Sequence, residues 1–168
     1  METEEHRLMK EVVIGELRKL GYSDISTEEI IKNAYPRQFL SSLWFEELYL
    51  RSRDSELSRV RKILGEPEKY GSKSSRPRVD IVVKENNRYL AFFEIERQFY
   101  PKFFHFEKKL KGLEVAAIKN DARLVFVVKS NRRSFYKLAG IILDAIWKVD
   151  LEERRIAEKI GWDGRKEM

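Results

Sequence analysis

The sequence predicts an α/β domain, a small mixed β-sheet flanked by helices and preceded by a helical segment. Three observations predict it. Apolar residues recur at helical spacing through the first 65 positions. Two β-rich runs, Val79–Lys84 and Arg88–Arg97, are split by the turn-forming Glu85-Asn86-Asn87. A helical stretch from Pro101 to about Lys119 then leads into Leu124–Val128, the unbroken apolar run of a buried strand.

The first helix carries Leu8, Val12, Leu17 and Leu20, and Gly21 stands where a left-handed cap ends it. Ser26-Thr27-Glu28-Glu29 has capping-box spacing and opens a short helix that stops before Pro36. Pro36 suits the first turn of another helix, with Leu40, Leu43, Trp44 and Leu48 as its apolar residues. Asp54 or Ser55 caps a further helix through Leu57, Val60 and Leu64, closed by Gly65. Residues 66–77 form a polar connector to the hairpin. After the 101–119 helix, Asn120-Asp121 makes a turn into Leu124–Val128. A helix through Leu138, Ile141, Ile142 and Ala145 follows, and Leu151–Ile160 reads as a final amphipathic helix. The layout is a single domain over 1–168: a helical segment at 1–65, a core at 69–149, and a C-terminal helix and tail at 150–168.

A chain of 168 residues, 42% hydrophobic and 12% aromatic, has material for one real core. Cysteine is absent, which excludes disulfides and thiolate zinc sites, and two histidines make zinc hydrolysis a poor fit. No apolar stretch approaches the roughly 20 residues of a membrane span, and the acidic start is unlike a signal peptide, so a cytoplasmic protein without membrane partners is expected. A charged fraction of 37% points weakly to a heat-adapted source. The charge is unevenly spread. Residues 69–137 hold 17 Lys/Arg against 7 Asp/Glu, net +10, whereas residues 1–68 carry net −3 and residues 138–168 net −1. A polyanionic partner contacted by the middle of the chain is the expectation, against the plainer reading of a solvated basic surface.

Three carboxylates, Asp80, Glu94 and Glu96, stand inside the β-rich runs. Side chains alternate along a strand, so Glu94 and Glu96 share a face. Asp80 joins them only if the hairpin has odd parity, through Asn86-Asn87-Arg88 or Glu85-Asn86-Asn87. A two-residue Asn86-Asn87 loop sets Asp80 opposite Phe93, on the wrong face. Odd parity also collects Val79, Ile81, Val83, Tyr89, Ala91, Phe93 and Ile95 on one apolar face, and that clean partition selects it. Gathered acids repel unless a cation lies between them, and a hard divalent ion with oxygen ligands is the natural occupant. The alternative is pairing with Arg78, Arg97 or Lys102.

Arg76-Pro77-Arg78-Val79-Asp80, thirteen intervening residues and Glu94-Ile95-Glu96 resemble the PD-(D/E)xK nuclease superfamily, the restriction-endonuclease-like fold. The resemblance covers residues 78–128. It implies a helix, a three-strand meander, a helix and a fourth strand, with the aspartate on the second strand and the E-x-K on the third. It further implies that Asp80, Glu94 and the main-chain carbonyl of Ile95 hold Mg²⁺, with Mn²⁺ as a substitute, for phosphodiester hydrolysis by an activated water. This chain departs from the pattern twice. Glu96 replaces the lysine, leaving it to orient the water, act as general base or bind a second metal; otherwise Lys102, or after it Lys108 or Lys109, supplies the charge. The superfamily's first strand is also not evident, and only Lys69–Ser75 offers one.

Other candidates are weaker. Many superfamily members place another acid on the helix before the sheet, for which Glu46 and Glu47 are available, Glu47 as a further metal ligand; a solvated helix edge is the plainer reading. Gln98 continues the acidic face toward a phosphate or water. Lys129 with Asn131-Arg132-Arg133 forms a phosphate clamp or a solvated turn, and Arg76 and Arg78 add cations beside Asp80. Phe99-Tyr100 and Phe103–Phe106 stack bases or pack the core, His105 packs among them, and His6 is uninformative. No nucleotide-binding loop or serine elbow is present. The expected protein is a Mg²⁺-dependent DNA endonuclease acting as a homodimer; the competing class is an inactive nucleic-acid-binding or regulatory module on the same fold.

Overall fold

A computed structural model of the chain describes residues 2–31, 78–95, 113, 116–118, 120–130 and 144–166. Helix α1 spans Glu4–Lys19. Six strands follow: β1 (Asp24–Ile30), β2 (Arg78–Glu85), β3 (Arg88–Ile95), β4 (Arg123–Lys129), β5 (Ala145–Asp150) and β6 (Arg155–Gly161). They form one sheet in sequence order. The β3–β4 and β4–β5 pairs are parallel and the others antiparallel.

α1 forms where its apolar spacing predicts. Thr3 caps it by accepting the His6 amide N–H at 3.2 Å, with acidic Glu4 and Glu5 in the first turn and basic Arg18 and Lys19 in the last, matching the helix dipole. Gly21, at φ 97°, ends it: Gly21 N–H donates to the Arg18 carbonyl and Tyr22 N–H to that of Leu17, a Schellman closure. Met9, Val13 and Leu17 make its buried stripe and pack on Ile81, Val83, Ala91, Phe93, Ile95, Val125, Val127 and Trp147. Leu113, Ala116 and Ala117 cover the opposite face, against Val82, Phe92, Leu124, Phe126, Val128 and Ile146. Residues 116–118 are consecutive helical residues, inside the 101–119 helix expected from sequence. With both faces covered, β2, β3 and β4 each hold five consecutive buried residues.

Three expectations are corrected. Ser26-Thr27-Glu28-Glu29 does not open a helix but lies in β1, the outer neighbour of β2. A capping signal is local and weak, and pairing along the whole of β1 outweighs it. β1 is also the strand missing from the sequence reading, where only Lys69–Ser75, outside the described residues, was available. Ala145 begins β5 rather than ending a helix, and Leu151–Ile160 is a turn followed by β6. In that turn Asp150 Oδ1 accepts the amides of Glu152 and Glu153, at 3.0 and 3.1 Å, and Arg154 takes φ 52°. Pairing with β5 and packing of Ile156 on the core override the helical propensity of this charged segment. The helices expected over residues 36–65, and Leu138, Ile141 and Ile142, lie outside the described residues.

The hairpin is the fourth correction. Its loop is the two-residue Asn86-Asn87, both left-handed at φ 54° and 63°, with Glu85 paired to Arg88. Lys84 then pairs with Tyr89 but Val83 with Ala91, leaving Leu90 as a bulge. The extra residue converts an even loop into odd parity, so Ile81 pairs with Phe93. The expected parity is present, with a different cause. Tyr89, before the bulge, therefore packs with Phe92 on the other face from Ala91. Val79 also leaves the expected face and joins Val82.

Candidate functional site

Beyond the Ile81–Phe93 pair, one step along both strands, stand Asp80 and Glu94. Both are buried, at 7% and 0% exposure. Burial of two acids inside a hydrophobic sheet is costly unless partners or a cation compensate. Asp80 Oδ2 accepts the Ile95 amide N–H at 2.8 Å and lies 3.5 Å from His6 Nε2, on the first turns of α1.

The sheet is irregular at this point. Between the Thr27–Val79 region's two pairs, Thr27 with Ile81 and Glu29 with Val79, Glu28 takes φ 54°, a conformation costing a non-glycine residue about 1 kcal/mol or more. Its carboxylate holds Lys10 Nζ at 2.5 Å, and Glu2 holds the same ammonium at 2.6 Å. Glu2 also accepts from His6 Nδ1 at 3.0 Å. His6 and Lys10 thus join Asp80, Glu2 and Glu28 in one network at the start of α1. Glu5 on the same turn pairs with Lys129 at the end of β4.

The network sits where parallel β3, β4 and β5 run out, at Ile95, Lys129 and Asp150. In open α/β sheets the crevice outside the carboxyl ends of parallel strands is the usual ligand site. Asp80 raises the pKa of His6 above its ordinary value, burial opposes this, and Glu2 assists. Burial disfavours the Lys10 ammonium, but Glu2 and Glu28 outweigh it and leave the lysine pKa raised. Both shifts favour the charged forms of His6 and Lys10 beside the acids.

The structure sets Asp80 and Glu94 on the neighbouring strands β2 and β3 at one end of the sheet, with the Ile95 amide donating to Asp80. Arg78 is exposed at the start of β2. Lys129, at the end of β4, pairs with Glu5. Glu96, Lys102, Gln98, Lys108, Lys109, Arg76, Arg132, Arg133, Glu46, Glu47, Arg97 and His105 lie outside the described residues. His6 is the residue that sequence reasoning passed over. A signal for it existed: His6 extends the buried stripe of Met9, Val13 and Leu17 by one more turn, so it had to face the sheet.

Among the described residues, no group of three or more His, Asp or Glu side chains is arranged to hold a metal ion. Magnesium binds through one or two carboxylates and keeps several waters, and Asp80 and Glu94 are the buried carboxylates among the described residues. No described helix is long and apolar enough to cross a membrane. Comparison of the chain with protein-family models, curated proteins and solved structures finds no match.

Proposed function

We propose that this chain is a metal-dependent DNA endonuclease of the PD-(D/E)xK kind, hydrolysing phosphodiester bonds. The observation that carries the reading is that two carboxylates, Asp80 and Glu94, are buried on the neighbouring strands β2 and β3 where β3, parallel to β4, runs out. The element order supports it: a helix, a three-strand meander, helical residues at 113 and 116–118, and β4 parallel to β3.

Asp80, Glu94 and the Ile95 carbonyl would hold Mg²⁺ or Mn²⁺, which lowers the pKa of water and offsets charge on the phosphate. The chain's own groups do the rest. The Ile95 amide fixes the Asp80 carboxylate, and Glu96 or Lys102 orients the attacking water. The net +10 of residues 69–137 holds the DNA backbone.

A second reading has an observation in its favour. Asp80 already meets internal partners, among them the Ile95 amide and His6, as a purely structural acid would. On that reading the fold binds nucleic acid without cutting it.

The test is cleavage of supercoiled plasmid and of branched DNA with Mg²⁺ or Mn²⁺, using the native chain, Asp80→Asn and Glu94→Gln. Metal-dependent cutting, abolished in both variants while DNA binding persists, is the expected result. Tight binding without cutting under either metal selects the second reading, and absence of binding removes both.

A further inference from the structure

We infer that Lys10 is a positioning residue for Asp80: its ammonium latches Glu28 in a left-handed turn of β1, and that latch holds the Asp80 carboxylate out of the sheet ladder, toward the end of β3. The inference rests on the nuclease reading, in which Asp80 holds the metal.

Strand β2 changes course at Asp80. Its pairing with β1 runs through Thr27–Ile81 and resumes at Glu29–Val79, so Glu28 stands across from Asp80 without pairing to it. Its pairing with β3 ends at Ile81–Phe93, and beyond it the Ile95 N–H donates to the Asp80 carboxylate at 2.8 Å. Side chains two apart on a regular strand share a face, yet Ile81 packs under α1 while Val79 packs on the other side with Val82. Asp80 is the residue at which the strand turns over. Across from it Glu28 has φ 54°, a conformation that a non-glycine residue keeps only where its surroundings hold it there.

What holds it is Lys10. This buried lysine stands one α1 turn after His6, and its Nζ meets Glu28 Oε1 at 2.5 Å and Glu2 Oε1 at 2.6 Å. Glu2 in turn takes His6 Nδ1 at 3.0 Å, and His6 Nε2 lies 3.5 Å from Asp80 Oδ2. One ammonium thus secures both flanks of Asp80, the strand beside it and the imidazole in front of it. Three donors on a compact head suit a lysine to holding two carboxylates. Groups that orient a metal-binding side chain change metal affinity by about 10- to 100-fold when they are removed. Glu2 and Glu28 are themselves exposed, so without Lys10 both turn to water, and the fold survives while the latch opens.

Calorimetric titration of the full chain with Mn²⁺, alongside plasmid cleavage kinetics and melting curves, tests it. Lys10→Met is expected to raise the Mn²⁺ dissociation constant about tenfold or more and to lower kcat, with KM for DNA unchanged. Lys10→Arg keeps a cation between the two acids and should recover most of the affinity. Glu28→Gly, which takes φ 54° freely, should bind Mn²⁺ more tightly than Glu28→Val, which resists that conformation. A Lys10→Met protein that binds Mn²⁺ and cuts as the native chain does overturns the inference and leaves the nuclease reading standing. So does equal affinity in the two Glu28 variants, which decides the matter should Lys10→Met fail to fold. A native chain that binds no Mn²⁺, or binds it no better than Asp80→Asn, ends both.

Discussion

Among the partners of Asp80 are two of different character, the Ile95 amide N–H, which does not titrate, and the His6 imidazole, which does. The His6 ring bridges Asp80 and Glu2, and protonated it donates to both. Its folded pKa therefore lies above the ordinary value of about 6.5. A group with a raised folded pKa contributes its full stability below the unfolded pKa, and loses it as pH rises through the folded pKa. In chelator, the protein is expected to lose stability as pH climbs from about 6.5 through the folded His6 pKa. His6→Gln should flatten that dependence, read by denaturant unfolding at successive pH values. A His6 resonance that titrates at or below 6.5 by NMR would refute the assigned bridge. At this scale the acids were legible, because carboxylates inside apolar strands stand out. The network that receives them was not, because its members belong to α1 and β1, and sequence spacing does not say which face of a sheet a distant helix covers.

Elements were legible where local signal and tertiary demand agree. α1, with its stripe and glycine cap, and β4, with its apolar run, satisfy both. β1 and β6 are outer strands with mixed polar composition, half exposed, and their pairing alone makes them strands. The hairpin shows how a correct parity arises from a cause that sequence does not display, since nothing marks Leu90 as the unpaired residue. Its turn gives a direct test. Asn87 at φ 63° tolerates the left-handed region, glycine prefers it and valine resists it. Asn87→Gly is expected to raise the melting temperature by a few degrees, and Asn87→Val to cost about 1–2 kcal/mol. Equal melting temperatures would mean that the turn is not a left-handed pair. Two other glycines separate conformation from space. Gly21→Ala meets only ordinary contacts at 3.5 Å and should cost about 1 kcal/mol for its positive φ alone. Gly164→Ala has the same handedness, at φ 86°, and its Cβ would fall 2.8 Å from Leu20 and 2.9 Å from Trp147. It should cost distinctly more, measured by the same urea titration, because both neighbours are packed against the core.

Across the whole molecule packing and buried charge lie side by side. Tyr22 Oη donates to the Gly164 carbonyl and Trp147 Nε1 to that of Trp162, fastening the last described residues over a cluster of Phe93, Trp147 and Trp162. One residue beyond Phe93 stands the buried Glu94, and Asp80, His6, Lys10 and Glu28 gather where β3 runs out, with a left-handed Glu28 in the strand beside them. The proposed partner adds a requirement on the chain as a whole. If the central net +10 holds a DNA backbone, binding is dominated by counterion release and must fall steeply with salt. Duplex affinity of the Asp80→Asn, Glu94→Gln double variant, which isolates binding from cutting, is expected to drop about a hundredfold or more between 50 and 200 mM salt, since six phosphate contacts alone predict a loss on the order of a thousandfold. Fluorescence anisotropy across that range measures it. A flat profile would mean that the basic segment is an ordinary solvated surface, and would remove the electrostatic basis for a nucleic-acid partner while leaving the acidic site to be explained on other grounds.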